Sequence, residues 1–271
     1  MGLQAVRLAL LMVILFVLLG VDMKLLTVGN TKTIKGEKYG YQTYILHLAP
    51  ANLSGFETCP KRTAGCTAAC LNTAGRGGMF KPGGTNTIQE ARKRKTRMFF
   101  EERKGFMEWL VKDIELAFKQ SEKKGMIPVF RLNGTSDISW EKYEVVRNGK
   151  TYKNIFEAFP FFQFYDYTKI LGRKATNIHN YHLTFSAADG NDADVKKAIE
   201  QGYNVATVFG LKKTQPMPET YNGITVFNGD DSDLRFLDPK GVIVGLYAKG
   251  RAKKDTSGFV KYPTIPLALA A

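Results

Sequence analysis

The apolar side chains of residues 86–124 recur at helical spacing, so that one face of this segment is hydrophobic. Asn86 or Thr87 is placed to cap its amino terminus, and Gly105 can divide it into two helices. An aromatic stripe of this kind is far more often core than a ligand site. We therefore predict a helical region that packs its aromatic face into the protein. The stripe consists of Phe99, Phe100, Phe106, Trp109, Leu110, Ile114 and Phe118.

Short apolar runs follow this region, each bounded by Gly, Asn, Asp or Pro. Such runs are typical of strands that are buried on both faces of a parallel sheet. A helix-like segment lies between two of them, with Asn191 or Asp192 as its cap and Gly202 as its stop. An earlier run at residues 41–50 alternates as a strand does. The later runs cover residues 126–132, 161–167, 181–185, 204–209, 223–227 and 241–247.

Buried strands separated by helices predict an α/β fold. Six or seven such strands in one domain fit a full or partial parallel β/α (TIM-like) barrel, and a doubly wound open sheet is the alternative. A chain of 271 residues can bury a core of this size. Neither an internal repeat nor a low-complexity linker interrupts it. Residues 24–262 are therefore predicted to form one domain, followed by a tail at 263–271.

The amino terminus differs from the rest because an unbroken apolar run, Leu8 to Val21, follows the basic Arg7. This run is shorter than the roughly 20 residues that a transmembrane helix needs, and it resembles the core of a signal peptide. No A-x-A-like cleavage site follows, and export would oxidise thiols, which disfavours a cleaved signal. Two interpretations stay open for residues 1–22: a mis-assigned start with translation beginning at Met23, or a weak membrane anchor.

The net charge of +14 indicates a polyanionic neighbour. Nucleic acid, a phosphate-bearing small molecule and an anionic membrane all fit, the membrane only if residues 1–22 are translated. A basic, solvated surface without a specific partner is the alternative. The densest basic run is ARKRKTR at 91–97, which is typical of either a solvated helix face or a phosphate-binding one. No feature of the sequence predicts a protein partner.

Polar side chains recur directly after the predicted strands. Because the carboxyl ends of parallel strands meet at one rim, these side chains are expected to line a common pocket, although each loop alone fits ordinary turn chemistry. Lys169, Asp137 and Asp166 are the candidate catalytic residues. The candidate cofactor-binding residues are Asn133, Ser136, Ser186, Asp230, Lys249 and Arg76.

All three cysteines, Cys59, Cys66 and Cys70, lie within residues 59–70, which we call the cysteine segment. They cannot all pair with one another, and their spacing suits a reducing compartment better than a disulfide scaffold. Three soft ligands suit zinc or an iron–sulfur cluster. A structural zinc site would need a fourth ligand, for which His47 is a candidate, whereas a cubane held by three cysteines leaves one iron open. Unligated thiols in a packed loop are the remaining alternative.

Other motifs weigh against several common activities. The glycine-rich segment 75–84 lacks the GK[ST] ending of a P-loop, and no convincing G-x-G-x-x-G follows a strand. The acidic loop at 228–233 lacks the glycine and terminal glutamate of an EF-hand. No G-x-S-x-G nucleophile elbow is present. The sequence therefore disfavours P-loop, EF-hand and serine-hydrolase chemistry of the usual kinds.

Several motifs together resemble a family of phage and prophage proteins, the gene-88-product family, over roughly residues 24–261. This coverage leaves residues 1–22 outside, which favours a start at Met23. The motifs are TCP followed by C-x3-C, RLNGTSDISWE, FQFYDYTKI, LTFSAADGND and DDSDLRFLDP with GLYAKGRAKKDTSGFV.

The chain is also, more distantly, similar to radical S-adenosylmethionine (radical SAM) enzymes, which place three cysteines after the first strand of a β/α barrel. Their usual spacing is C-x3-C-x2-C, and this chain has x6 and x3 instead. The similarity implies that Cys59, Cys66 and Cys70 hold a [4Fe–4S] cluster. It also implies that the polar strand ends bind the methionyl and ribose groups of S-adenosylmethionine.

These observations lead to two functional hypotheses. The first is a cytoplasmic phage-type enzyme that carries out a radical or cluster-assisted modification of a phosphate-bearing or nucleic-acid-derived substrate. The second is a nucleic-acid-binding protein whose cysteine segment, with zinc or without a metal, is only structural. The first predicts that the cysteines and the polar strand ends face one another across a single cavity, with Arg76 near its mouth.

Overall fold

A nine-stranded sheet forms the centre of the protein, of which the computed structural model describes residues 24–28, 33–80, 84 and 86–263. A separate antiparallel pair of strands, β4 and β5, lies outside this sheet. In chain order the strands are β1 (Leu26–Thr27), β2 (Tyr41–Leu46), β3 (Ile127–Arg131), β4 (Val145–Arg147), β5 (Lys150–Tyr152), β6 (Gln163–Thr168), β7 (Tyr181–Ser186), β8 (Val205–Phe209), β9 (Thr220–Tyr221), β10 (Ile224–Asn228) and β11 (Ile243–Tyr247).

The order of the strands in the main sheet is β1-β2-β3-β6-β7-β8-β11-β10-β9. All neighbours pair in parallel except β1 and β9, which are antiparallel to β2 and β10 at the two edges. The predicted α/β class is thus confirmed as a mixed fold with a large, mostly parallel sheet. In the part of the chain that the structure describes, no strand pairing joins β1 to β9, so a closed barrel is not shown.

Each apolar run of the sequence forms a strand of this sheet, but the order of the last two parallel strands does not follow the chain. β11 lies between β8 and β10, because β10 pairs with it and not with β8. The hairpin of β4 and β5 was not predicted, although its Asn-Gly turn is a strong signal. Asn148 and Gly149 both have positive φ, as a type I′ hairpin turn requires.

Five α-helices accompany the strands in the described residues, and the two longest confirm the predicted helical region. Asn86 caps the first of these two, since its Oδ1 accepts hydrogen bonds from the amides of Ile88 (2.9 Å) and Gln89 (3.2 Å). The helices are α1 (Ala64–Ala68), α2 (Thr87–Glu101), α3 (Arg103–Glu122), α4 (Ile155–Ala158) and α5 (Asp192–Glu200).

The break between α2 and α3 occurs at Glu102, so the prediction of a division at Gly105 was wrong. Gly105 lies inside α3, where a glycine is tolerated. At the break, Nε of Arg103 donates a hydrogen bond of 2.8 Å to the carbonyl oxygen of Phe99. The same guanidinium stacks on the rings of Phe99 and Tyr143, 4.2 and 4.3 Å from their centroids. Side-chain contacts of this kind fix the position of the break, and the hydrophobic pattern of the sequence does not reveal them.

One hydrophobic core joins the helices to one face of the sheet. The predicted stripe of α2 and α3 contributes to it, and Phe118 alone of that stripe is exposed. Successive strands from β2 to β8 are neighbours in the sheet, and right-handed crossovers then place their connecting helices on the same face. The fully buried members on the helices and strands include Phe99, Phe106, Leu110, Ile114, Phe130, Phe164, Phe185 and Val205.

The opposite face of the sheet is covered at one end by residues 229–240. Leu234 and Phe236 pack there on Val129 and Tyr165, and Arg235 is fully buried. At the other end, where the strands reach their carboxyl termini, residues 59–70 and 249–259 lie over this face and leave a cavity between themselves and the sheet.

Within residues 24–28, 33–80, 84 and 86–263, no helix is both long and apolar enough to cross a bilayer. The apolar segment at 1–22 lies outside the described residues. The same is true of all but the first residue of the predicted tail at 263–271.

Candidate functional site

A cavity of about 260 Å³ opens at the carboxyl ends of the parallel strands. Residues of β3, β6, β7, β8 and β11 contribute to its lining, and the cysteine segment and residues 249–259 enclose it from the other sides. Most of the residues that the sequence predicts for a site meet here. They are Cys59, Cys66, Cys70, Asn133, Ser136, Asp137, Lys169, Ser186 and Lys249.

Three of the predicted site residues do not line the cavity. Asp166 is buried beneath it, where its carboxylate accepts hydrogen bonds from the amide of Asn133 (2.7 Å) and from the hydroxyl of Tyr181 (3.0 Å). Burial raises the pKa of Asp166 to about 7. Asp230 also lies outside the lining, and it forms an ion pair of 2.5 Å with Lys249, which does line the cavity. Arg76 is exposed and lies outside the cavity lining.

The helix α1, which carries Cys66, is held by Asp189 in the loop after β7. The Asp189 carboxylate accepts hydrogen bonds from the Thr63 hydroxyl and from the amides of Gly65 (2.9 Å) and Cys66 (3.1 Å). Although its partial burial acts in the opposite direction, these hydrogen bonds lower the pKa of Asp189. A side chain at Gly65 would collide with Ser257 and with Asp189. The close approach therefore requires a glycine.

Cys70 is positioned by a second set of contacts, from α2. Asn72 is buried, and its carbonyl and side-chain oxygens accept hydrogen bonds of 2.9 and 2.6 Å from the guanidinium of Arg92. Gln89 completes this arrangement by accepting from the Asn72 amide group at 2.9 Å. The chain after Cys70 is thus tied to the first turns of α2.

The basic run at 91–97 is neither a fully solvated face nor a free phosphate-binding one. Arg92 binds Asn72, Nζ of the buried Lys95 donates to the carbonyl of Leu25 at 3.1 Å, and Arg97 donates to the carbonyl of Ser54 at 3.2 Å. Both interpretations of this run need correction, because three of its five basic side chains bind other parts of the fold. The helical turn brings these residues inward, which a charge count along the chain does not reveal.

The thiols of the cysteine segment receive backbone hydrogen bonds. Sγ of Cys59 accepts from the amide of Ala51, and Sγ of Cys70 accepts from the amide of Asn72, each at 3.5 Å. Burial raises the pKa of Cys59 to about 11 and also raises the pKa of Cys70, so both are neutral thiols at pH 7. Ionisation of Cys70 adds to the rise at Cys59, and Cys66 acts in the same way on Cys70. Cys70 is therefore close enough to interact electrostatically with Cys59 and with Cys66.

No group of three or more His, Cys, Asp or Glu side chains is arranged as ligands of a metal ion among the described residues. The candidate fourth ligand, His47, does not line the cavity. Its Nδ1 lies 3.4 Å from the Thr27 hydroxyl. Burial and the nearby Arg92, Arg131 and Lys95 lower the pKa of His47 to about 3.

The cavity lining holds four cationic side chains and two carboxylates, and most of the charges are paired. Arg131 pairs with Asp233 at 3.1 Å, and its guanidinium lies 4.7 Å from the ring centroid of Tyr167. Lys249 pairs with Asp230, and Arg62 with Glu57 at 3.0 Å. Lys169 is the exception. Its Nζ makes no hydrogen bond or ion pair with any residue that the structure describes.

The carboxylate of Asp137 is fully engaged. It accepts hydrogen bonds of 2.8 Å from the Thr168 hydroxyl and from the Lys169 amide, and its Oδ1 lies 3.4 Å from the guanidinium of Arg173. Burial raises the pKa of Asp137, against the effect of these contacts. Asp137 thus fixes the turn that directs Lys169 into the cavity.

Several lining residues were not predicted from the sequence. Arg131 and Tyr167 face the cavity from inside strands, and the signal for Arg131 was a charge at the end of an apolar run. Ala252 and Phe259 come from the carboxyl-terminal segment, whose return to the cysteine segment has no local signal. The other lining residues outside the set of candidate site residues are Arg62, Ala69, Leu71, Gly134, Thr135, Thr168, Ala187, Ala206, Val208, Asp233, Leu246 and Tyr247.

The family model described as Gene product 88 matches residues 24–263. No match is found among curated proteins or among solved structures. These comparisons give no support to the more distant similarity to radical SAM enzymes. The matched residues include the cysteine segment and every strand of the sheet. The chain therefore belongs to the Gene product 88 family.

Proposed function

We propose that this protein is a phage-type enzyme that binds an iron–sulfur cluster through Cys59, Cys66 and Cys70. It would act in the host cytoplasm on a phosphate-bearing or nucleic-acid-derived substrate. The observation that carries the proposal is the shared cavity, since all three thiols line the same space as the polar ends of the parallel strands. Ligands of open α/β sheets bind at that edge as a rule.

Three cysteine thiols without a fourth protein ligand among the described residues favour an iron–sulfur cluster over a single zinc ion. Thiolates suit iron–sulfur clusters, and amide hydrogen bonds to sulfur, as at Cys59 and Cys70, are among the contacts that tune them. One zinc ion would need its ligands about 2.3 Å from a common centre, whereas a cubane spreads its cysteines over separate iron atoms. When bound by three cysteines, such a cluster supplies an open iron position for a substrate or for S-adenosylmethionine.

The chain's own residues take distinct parts in this proposal. Ser136, Ser186 and Lys249 present polar groups to the ligand, whereas the side chain of Asn133 is bound to Ile138, Trp140 and Ser136. Lys169 is the candidate catalytic residue that touches it, because the carboxylates predicted beside it are occupied. Asp137 holds the turn before Lys169, and Asp166 holds the amide of Asn133 from below, so both are positioning residues.

The proposal is tested by anaerobic expression and reconstitution, with iron, sulfide and zinc analysis and visible absorption. We expect about four iron atoms and four sulfide ions per chain. The reconstituted protein should also absorb at the blue end of the visible spectrum. Cys59→Ser, Cys66→Ser and Cys70→Ser should each lose most of the iron, and Ala68→Ser, an exposed neighbour in α1, should not. A colourless protein without iron after reconstitution would overturn the proposal. Zinc without sulfide would favour a structural cysteine segment.

A nucleic-acid-binding protein with a structural cysteine segment is the second candidate, supported by the net charge of +14. The inward contacts of Arg92, Lys95 and Arg97 reduce the number of phosphate contacts that α2 can offer. Titration of DNA and RNA at several salt concentrations discriminates between the candidates, because phosphate neutralisation makes log affinity fall linearly with log salt. No binding at low salt would exclude this candidate.

A further inference from the structure

The cavity has a polar half and an apolar half. The loops after β3 and β6 supply the polar half, and the strands β8 and β11 with the carboxyl-terminal segment supply the apolar half. Ser186, the last residue of β7, and the following Ala187 lie between them in the order of the sheet. The polar half contains Asn133, Ser136, Asp137, Thr168 and Lys169, and the apolar half contains Ala206, Val208, Leu246, Ala252 and Phe259.

Lys169 is the cation of this cavity that has no anionic partner in the described residues. The charges around it are paired elsewhere: Asp137 with Arg173, Asp233 with Arg131, and Asp230 with Lys249. Lys169 is a half-buried residue that lines the cavity, and a bound anion would supply its ammonium group with a partner. Asp137 lies near enough to act on Lys169 electrostatically, but its carboxylate is bound to the Thr168 hydroxyl, the Lys169 amide and Arg173.

The volume of the cavity limits the size of the ligand. About 260 Å³ is just below the range of roughly 300–1,000 Å³ that small-molecule pockets occupy. A single ring with one charged substituent fits this space, whereas a polymer could present only one small group to it.

We propose that the cavity binds a small ligand whose anionic group, phosphate or carboxylate, contacts Lys169 and whose planar apolar body lies against Val208 and Leu246. The inference deepens the proposed function, on which it rests, by naming the ligand class of the same site. It requires the cavity and Lys169, and it does not require that iron be present.

The test uses four probes on the full chain freed of metal by a chelator. Phenyl phosphate and benzoate carry both features, inorganic phosphate carries only the charge, and benzyl alcohol carries only the ring. Calorimetric titration should show at least about tenfold tighter binding of an aromatic anion than of either single-feature probe, since a hydrogen bond to a charged group adds about that much. The stronger of phenyl phosphate and benzoate identifies which anion the site prefers.

Single substitutions test which half of the cavity contacts the anionic group and which contacts the ring. Lys169→Met should weaken the aromatic anion about tenfold or more and leave benzyl alcohol unchanged, and Lys169→Arg should retain most of the affinity. Val208→Ser should weaken both aromatic probes and leave inorganic phosphate unchanged. Lys61→Met, at an exposed lysine of the same segment that does not line the cavity, should change each affinity less than twofold. Far-UV circular dichroism confirms that each variant is folded.

Several results would overturn the inference. They are an equal loss of affinity in Lys61→Met and Lys169→Met, equal binding of phenyl phosphate and benzyl alcohol, or no binding of any probe. A Lys169→Met protein that keeps its anion affinity but binds less iron would show that the lysine serves the thiols instead. The two proposals can fail separately. A protein that binds no iron but shows Lys169-dependent anion binding would contradict only the proposed cluster. A protein that binds iron but shows no Lys169-dependent anion binding would contradict only this inference.

Discussion

Asp166 shows how one side chain beneath the cavity can make the fold sensitive to pH. Its carboxyl group is fully buried, it holds the amide of Asn133, and burial raises its pKa to about 7. The pKa of an aspartate in the unfolded chain is about 3.9. Between these two values the folded protein keeps a proton that the unfolded chain releases. The stability that this group contributes is therefore complete below about pH 4 and is lost as the pH rises to about 7.

We expect Asp166→Asn to remove this part of the pH dependence. The oxygen of the asparagine can accept from the Asn133 amide, and the side chain does not ionise. Its amide nitrogen donates to the Tyr181 hydroxyl, which donates to the carboxyl group in the native protein. From pH 4.5 to 7.5 the free energy of unfolding of the native protein should fall relative to the variant, by at most about 1.4 kcal/mol per pH unit. Urea unfolding at several pH values measures the difference. Parallel curves for the two proteins would contradict the assignment.

At the scale of elements, the sequence predicts which segments form strands and helices better than it predicts how they are held. The parallel strands β2, β3, β6, β7, β8, β10 and β11 were found because strands of a covered parallel sheet are continuously apolar. The break at Glu102 was misplaced because Arg103 fixes it through ring stacking and one carbonyl. The attachment of α1 to Asp189 was missed for a similar reason, since the contact joins residues that are far apart in the chain.

The short helix α1 depends on that attachment, because five residues are too few for a stable isolated helix. Asp189→Ala removes the acceptor for the amides of Gly65 and Cys66, which should free the first turn of α1. We expect faster hydrogen exchange at these amides and faster alkylation of Cys66, with a loss of unfolding free energy of about 0.5–2 kcal/mol. Asp189→Asn keeps one acceptor oxygen, so its exchange rates and its stability should lie between those of the native protein and of Asp189→Ala. Unchanged exchange in Asp189→Ala would show that Thr63 alone caps the helix.

At the scale of the whole molecule, the candidate site was predictable as a rim of polar strand ends and unpredictable as a closed cavity. Parallel strands must place Asn133, Lys169 and Ser186 at one edge of the sheet, whatever the detail of the loops. The enclosure depends on contacts between distant parts of the chain, for which local periodicity carries no signal. The carboxyl-terminal segment is the clearest case, since Ala252 and Val260 pack there on Ala69 of the cysteine segment.

The carboxyl-terminal segment should accordingly control access to the thiols. Ala252 is only 2% exposed, and Ala252→Leu would overfill its contact with Ala69 at a cost of about 1–3 kcal/mol of unfolding free energy. Because Ala69 lies between Cys66 and Cys70, we expect both thiols to react faster with a disulfide reagent at pH 8. Lys253→Leu, at an exposed neighbour, should change neither property. If Ala252→Leu lowered stability while thiol reactivity stayed constant, the segment would stabilise the fold without enclosing the cysteines.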